Sequence, residues 1–279
     1  MTRQRSVLIT GASSGFGRAA ATSFANRGWS VYATVRDLTK DPDLSSSFGD
    51  AGDLITLIEL DLCSPASITR AVGEVLESCN GRIDVLVNNA GIADSGFFEE
   101  QPEADFRRVI ETNLFGTCAL TREILPAMRK QRSGRIITVT SVAAYVAGPS
   151  MSAYVASKRA LQGWMESLAI ETRPFGLSVA VVEPGTYKTN IWDNAKRSVN
   201  SGSAYDPMRR RLEDSVQRMV EKTGGDPVEV GEAIADIAEK KQPLFRNPVG
   251  KDARFLYRIL GAVPFRIRAR LIAISMGVG

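Results

Sequence analysis

The 279-residue chain contains no histidine. Ser-His-Asp and Cys-His nucleophile systems are therefore excluded, along with the side chain that most often shuttles protons near neutral pH. Cysteine is scarce too. Cys63, Cys79 and Cys118 show neither metal nor redox spacing, and an odd, scattered set reads as small, partly buried side chains in a reducing compartment. No metal is expected. No apolar run approaches the ~18 residues of a membrane span and no apolar signal segment is seen at the N-terminus, so the expected location is cytoplasmic. Repeats, low-complexity blocks and Pro/Gly linkers are also missing, which argues for one domain over residues 1–279. Neither sign of charge dominates: 35 basic against 31 acidic residues give net +4. Basic residues gather at Arg209-Arg210-Arg211 and toward the C-terminus, with no basic stripe interleaved with aromatics, so no nucleic-acid partner is expected.

What is present begins at the N-terminus. Ser6-Val7-Leu8-Ile9-Thr10 is a short apolar run, Gly11-Ala12-Ser13-Ser14-Gly15-Phe16-Gly17 is glycine-rich, and Arg18-Ala19-Ala20-Ala21 starts a helical pattern. Strand, loop and helix in that order suit a nucleotide: glycines let the backbone approach a pyrophosphate, and the helix N-terminus offers unpaired N–H groups. The spacing Gly-x-x-x-Gly-x-Gly differs from the commonest dinucleotide fingerprint. A second strand, Ser30–Val35, ends in Arg36-Asp37. An acid at the close of this strand bonds a free ribose 2′-hydroxyl, whereas an arginine accommodates a 2′-phosphate. Arg36 in the contact position favours NADP(H), with NAD(H) the alternative should Asp37 face the ribose.

Tyr154 and Lys158 stand four residues apart, with Ser141 thirteen residues upstream. In a helix, positions i and i+4 share a face. A phenol held beside an ammonium there makes an acid/base, its pKa lowered from about 10 by the cation. In a chain without histidine, Tyr154 is the leading candidate for proton transfer.

Together with these, Asn88-Asn89-Ala90-Gly91 after the strand Val85-Leu86-Val87, Asn113-Leu114-Phe115-Gly116 on a helix, Ser141 closing Ile136–Thr140, and Pro184-Gly185-Thr186-Tyr187-Lys188-Thr189 after Val179–Val182 closely resemble the short-chain dehydrogenase/reductase family in order and spacing. Within it, the second-strand segment and the long C-terminus resemble the steroid- and retinoid-dehydrogenase branch. Alternating strands and helices already argue for a parallel sheet covered on both faces. The resemblance implies a Rossmann-type, doubly wound α/β sheet of about seven strands, the last near Phe245–Pro248.

The resemblance also implies roles. Asn113, Ser141, Tyr154 and Lys158 match the catalytic tetrad: Tyr154 as general acid/base, Ser141 on the substrate oxygen, Lys158 on the tyrosine and the nicotinamide ribose, Asn113 positioning a water. Gly11, Ser13, Ser14, Gly15, Phe16 and Gly17, with Thr10, match the phosphate and ribose loop. Asp61 and Leu62 match the adenine end, Asn88, Ala90 and Gly91 the adenosine half, and Pro184, Gly185, Thr186 and Thr189 the nicotinamide end. Tyr187 replaces a smaller aliphatic residue, a departure that bears on pocket shape. Ser14 stands where many NADP-using relatives carry a basic residue, which leaves Arg36 as the phosphate selector.

Residues 190–225 form the expected substrate lid. Trp192 on it, with Ser141, Val142, Tyr145, Val146, Met151 and Tyr154, would make apolar walls suited to a small lipophilic carbonyl or alcohol. Two other functions stay open: a 3-oxoacyl-thioester reductase, and a non-catalytic cofactor-sensing scaffold. The resemblance also implies pairing through two long helices, about residues 103–131 and 152–173, to a homodimer or homotetramer. The basic, amphipathic extension from about 251 to 279 has two readings: contact with an anionic membrane surface, or packing beside the lid or a subunit interface, the second favoured.

Overall fold

The computed structural model describes residues 3–191, 194–200, 202–260 and 263–275. Seven parallel strands form the main sheet in the order β3-β2-β1-β4-β6-β7-β9. They are β1 (Ser6–Ile9), β2 (Ser30–Val35), β3 (Ile55–Glu59), β4 (Val85–Asn88), β6 (Gly134–Val139), β7 (Leu177–Pro184) and β9 (Arg246–Val249), while β5 (Asp94–Ser95) and β8 (Lys196–Arg197) pair apart from it. The helices are α1 (Gly15–Asn26), α2 (Pro65–Ser78), α3 (Glu103–Ile110), α4 (Thr117–Gln131), α5 (Ser152–Thr172), α6 (Asp206–Thr223), α7 (Pro227–Glu239), α8 (Lys251–Leu260) and α9 (Phe265–Ser275).

The sheet is buried on both sides because its strands are apolar at successive positions, and successive side chains point to opposite faces. Val7 and Ile9, Val31 and Ala33, Val85 and Val87 face one layer with Phe24 and Trp29 of the α1 side and Val230 and Ile234 of α7. Leu8, Tyr32, Leu86 and Ile136 face the other, against Val72 of α2, Ile124 of α4 and Met165 of α5. Helix starts follow local chemistry: the Ser64 hydroxyl accepts from Ser67 N at 3.3 Å, with Pro65 at the first position of α2.

The register of β1 fixes the site. Ile9 stands opposite Ala33 of β2 and Val87 of β4. Strand order reverses between β1 and β4, so the loops leaving their C-terminal ends diverge and open a crevice. The glycine loop leaves β1 there, and the Asn88–Gly91 loop leaves β4 beside it.

Candidate active site

The two loops nearly touch. Gly11 has φ +69°, and a Cβ on it would come within 2.9 Å of Ala90 Cα; on Gly17 one would fall 2.2 Å from Gly11 O. Only glycine permits these approaches. Thr10 Oγ1 accepts from Asn89 N at 3.0 Å and Ala90 N at 2.9 Å, and Asn89 Nδ2 donates to Thr10 O at 2.8 Å and Gly11 O at 3.1 Å. Asn89, absent from the expected site, is thus the amide that knits the strand ends together, one residue past Asn88. The Asn88 side chain instead turns into the core and donates to Thr121 Oγ1 at 3.0 Å and Thr138 Oγ1 at 3.3 Å. Exposed Ser13 and Ser14 border the start of α1, and Ser14 makes no side-chain cap to it. The N-terminal N–H groups of a 12-residue helix therefore lie open at a loop shaped by glycine.

The remaining cofactor candidates line the same edge. Arg36 is exposed at the end of β2, and Asp37 is engaged locally, accepting from Thr39 N at 2.9 Å and Thr39 Oγ1 at 2.6 Å, bonds that hold its carboxyl below the usual range. Asp61 accepts from Cys63 N at 2.9 Å. Leu62 is buried, and a Cβ on Gly116 would meet its carbonyl oxygen at 2.5 Å. Beyond Pro184 the β7 loop returns toward the glycines: a Cβ on Gly15 would lie 3.5 Å from Thr189 Cγ2. The carboxylate of Asp252, from the start of α8, accepts from Thr186 N at 2.7 Å and Ala253 N at 2.8 Å, and fills the space where a Gly185 Cβ would lie 2.0 Å from its Oδ1. Glycine cradle, uncapped helix end and strand-end arginine are the donor set of a dinucleotide site. Ser13 to Gly17 would hold its pyrophosphate, Arg36 and Asp61 its adenosine end, and Pro184, Gly185, Thr186 and Thr189 its nicotinamide end.

Tyr187 is buried at the base of this loop. Its ring packs edge-on to Phe16 at 5.3 Å, while its hydroxyl donates to Glu229 Oε2 at 2.8 Å. Room comes from Gly225 and Gly250, where a Cβ would lie 2.5 Å and 3.1 Å from the tyrosine. The larger side chain thus ties the β7 loop to α7.

Between α3 and α4 the helix widens into a π-turn, Glu111–Gly116, an irregularity common at functional sites. Asn113, fully buried there, accepts from Ile92 N at 2.8 Å and donates to Ile92 O at 2.9 Å and Ser157 Oγ at 3.0 Å. It splints the β4 loop to α5. Ser157 in turn donates to Tyr154 O at 2.7 Å.

Tyr154 and Lys158 lie on the buried face of α5. Lys158 Nζ donates to Val139 O at 2.9 Å and stands 5.7 Å from the Tyr154 ring centroid. Ser141, closing β6, bonds the Tyr154 hydroxyl, and its Oγ accepts from Ala143 N at 3.1 Å. Gly91 separates Asn113 from Lys158: a Cβ there would lie 3.4 Å from both Asn113 Oδ1 and Lys158 Nζ. The expected lowering of the phenol is reversed. Burial pushes Tyr154 up to about 12, with the Ser141 bond acting the other way. Burial also takes the Lys158 ammonium down to about 8. Desolvation wins over the pairing of the two groups, because both are sealed from water and the ammonium is aimed at a backbone carbonyl.

The surroundings of Tyr154 are apolar: Ala93, Ala143, Val155, Met151 and Ile191 pack around it. Val142 is half-buried beside Ser141, whereas Tyr145 packs edge-on to Tyr257 of α8 at 5.8 Å and under the Arg246 guanidinium at 4.6 Å, with its hydroxyl buried. Trp192 lies outside the described residues. The segment expected to form the lid is held against the β4 loop and α3. β8 pairs with β5, Tyr205 stacks on Phe97 at 4.4 Å, Arg209 bonds Glu100 at 2.5 Å, and Lys196 pairs with Asp105 at 2.8 Å.

Comparison with known proteins agrees with this geometry. The family profile described as short chain dehydrogenase matches residues 5–200. An uncharacterized oxidoreductase, YusZ, of Bacillus subtilis is 39% identical over 91% of this chain and 92% of its own. A 3-ketodihydrosphingosine reductase of Bacteroides thetaiotaomicron is 34% identical, covering 90% of each chain, and human retinol dehydrogenase 8 is 34% identical over 87% of this chain and 80% of its own. Among solved structures, a short-chain dehydrogenase from Streptomyces avermitilis superposes with a TM-score of 0.79 at 33% identity, covering 100% of both chains. A metagenomic short-chain oxidoreductase in complex with NADP gives 0.70 at 27% identity, and a 3-ketoacyl-(acyl-carrier-protein) reductase from Brucella melitensis complexed with NADH gives 0.73 at 26%; each match covers 88% of this chain and 96% of the other. With the glycine cradle, the Asn113 splint and the Ser141–Tyr154–Lys158 group in place, the chain belongs to the short-chain dehydrogenase/reductase family, as an oxidoreductase acting on CH–OH groups and using a nicotinamide cofactor.

Proposed function

We propose that the protein is an NADP(H)-preferring reductase of lipophilic ketones or aldehydes, and the dehydrogenase of the corresponding alcohols, with Tyr154 as general acid/base. One observation carries this reading: a phenol sealed among Ala93, Ala143, Val155, Met151 and Ile191, with Ser141 bonded to its hydroxyl and a buried lysine behind it. At neutral pH a phenol raised to about 12 keeps its proton, the form needed to give one to a carbonyl oxygen. The nicotinamide supplies or accepts the hydride when bound. Ser141 would donate a hydrogen bond to the same oxygen as charge grows on it. Lys158, at about 8, exchanges a proton near neutral pH, and Asn113, on the other side of Gly91, would position the water that links it to solvent. The apolar walls favour a carbonyl carried on hydrocarbon over a sugar or a small charged acid.

The cofactor preference rests on Arg36 and on the local engagement of Asp37, which leaves the exposed guanidinium to meet a 2′-phosphate. A second reading, reduction of a 3-oxoacyl chain, is favoured by similarity to the 3-ketodihydrosphingosine and 3-ketoacyl reductases. NADPH and NADH oxidation against steroid ketones, retinal, aromatic aldehydes, simple ketones and an acetoacetyl thioester separates the possibilities. Turnover of a lipophilic carbonyl with kcat/KM more than about threefold higher for NADPH supports the proposal. Turnover of the thioester alone supports the second reading, and equal use of both cofactors removes the preference.

A further inference from the structure

Helix α9 is oriented the wrong way round for a helix facing water. Ile267, Leu271 and Ile274 lie at i, i+4 and i+7, on one face, and each is more than half exposed. Arg266 and Arg270, one helical turn apart, border that face. The opposite side, with Arg268, Ala269, Ile272 and Ala273, is the half-buried one. It looks toward the protein: Arg268 lines a cavity of about 670 Å³ together with Arg159 and Glu166 of α5 and Tyr257 and Arg258 of α8. A helix that packed by hydrophobic burial alone would turn its isoleucines and leucine inward. The neighbouring helix adds to the same character, with Lys251, Arg254 and Arg258 exposed beside exposed Phe255, and Phe265 exposed at the start of α9.

Charge selects the occupant. Residues 251–279 hold six basic side chains and one acidic one, net +5, against +4 for the whole chain. The positive surplus of the protein therefore resides entirely in this segment. Its single carboxylate, Asp252, is bonded inward to Thr186 N and does not offset the surface. A second copy seated across a two-fold axis would oppose this patch to itself, placing like charges together with no exposed carboxylate of the segment between them. An anionic bilayer answers both features, taking the apolar side chains into its headgroup–acyl boundary and pairing the guanidinium groups with lipid phosphates. Among the described residues no helix is long and apolar enough to cross a membrane, so the contact is a lying one.

We propose that α9, with the basic side of α8, is a docking surface for an anionic lipid bilayer. Docked this way, the protein has its membrane contact next to its active site: Tyr257 of α8 meets Tyr145, four residues from Ser141, and Asp252 holds the loop at Thr186. The docking is read from the surface and does not rest on the carbonyl chemistry, and its test uses no turnover.

Flotation of the full-length protein with vesicles of phosphatidylcholine alone, or mixed with phosphatidylglycerol, measures it directly. The protein is expected to float with the mixed vesicles and to stay below with phosphatidylcholine. Each basic residue near an anionic surface contributes about fivefold to partitioning. Arg266→Glu/Arg270→Glu should therefore lower binding at least about twentyfold, and Ile267→Ser/Leu271→Ser/Ile274→Ser should lower it comparably, with circular dichroism and sedimentation mass unchanged. Failure of the wild type to float with either vesicle overturns the proposal, as does undiminished flotation of both variants. A fall in sedimentation mass in the serine variant would assign the face to a second copy and overturn it equally.

Discussion

Lys158 is a residue the fold tolerates at a cost. Its ammonium is buried, with Val139 O at 2.9 Å as its one hydrogen-bond acceptor among the described residues, and its pKa falls from 10.5 to about 8. At 1.36 kcal/mol per tenfold change this gap amounts to about 3 kcal/mol against folding at neutral pH. An unfolded lysine keeps its proton up to about 10.5 and the buried one releases it near 8. The folded state therefore binds fewer protons between those values, and stability rises with pH across that window. Below pH 8 the deficit is constant. Lys158→Met keeps most of the length of the side chain and removes the charge, while leaving Val139 O without its donor costs about 1 to 2 kcal/mol. The variant is expected to be more stable than the wild type by about 1 kcal/mol at pH 7, and less stable at pH 10.5 by about the hydrogen bond. Urea unfolding of both proteins at pH 7, 8, 9 and 10 reads the difference, and shared titrations of other groups cancel in it. Turnover should fall by at least about a hundredfold, so the substitution exchanges activity for stability. A stability difference that is the same at pH 7 and pH 10 would refute the claim that the ammonium is desolvated.

Two further substitutions probe the cofactor side. Gly17→Ala puts a methyl 2.2 Å from Gly11 O and 2.5 Å from Asn89 Nδ2. Fluorescence titration should show NADPH affinity lowered at least about tenfold, and unchanged affinity would mean that the strand ends are not held as described. Asp252→Ala removes the acceptor of Thr186 N and Ala253 N, each bond worth about 1 kcal/mol. KM for NADPH should rise severalfold while kcat changes less, with partial recovery in Asp252→Asn, which keeps one carbonyl oxygen.

The parts of the site legible in the sequence are those whose geometry is written in short spacings. Glycines after a β-branched run, and Tyr154 and Lys158 one helical turn apart, specify loop and helix face with no knowledge of the rest of the chain. Contacts across long separations were not legible. Asp252 reaches Thr186 over 66 residues, and no local pattern marks it. Tyr187 looked like a change of pocket shape, yet its destination depends on glycines at 225 and 250 that make room for it. Asn89 could have been found, since a polar amide beside Asn88 at a strand end next to a glycine loop is a natural donor to that loop's carbonyls. The π-turn at Asn113 has no local signature, and the close approach of Gly116, within it, to Leu62 joins segments far apart in the chain. The direction of the Tyr154 shift was misread because spacing reports which charges are near and says nothing of how much water is gone. In the tail, alternation of arginine with apolar residues was visible, but which face points outward required the packing of α9.

The most direct test is single-turnover reduction of a lipophilic carbonyl by NADPH in the wild type and in Tyr154→Phe. Phenylalanine keeps the ring among Ala143, Val155 and Ile191 and removes only the hydroxyl that Ser141 bonds. If Tyr154 gives the proton, the hydride-transfer step slows at least about a hundredfold, with NADPH affinity and melting temperature close to the wild type. Reduction at near the wild-type rate in a folded, cofactor-bound variant would contradict the assignment of Tyr154 as the acid.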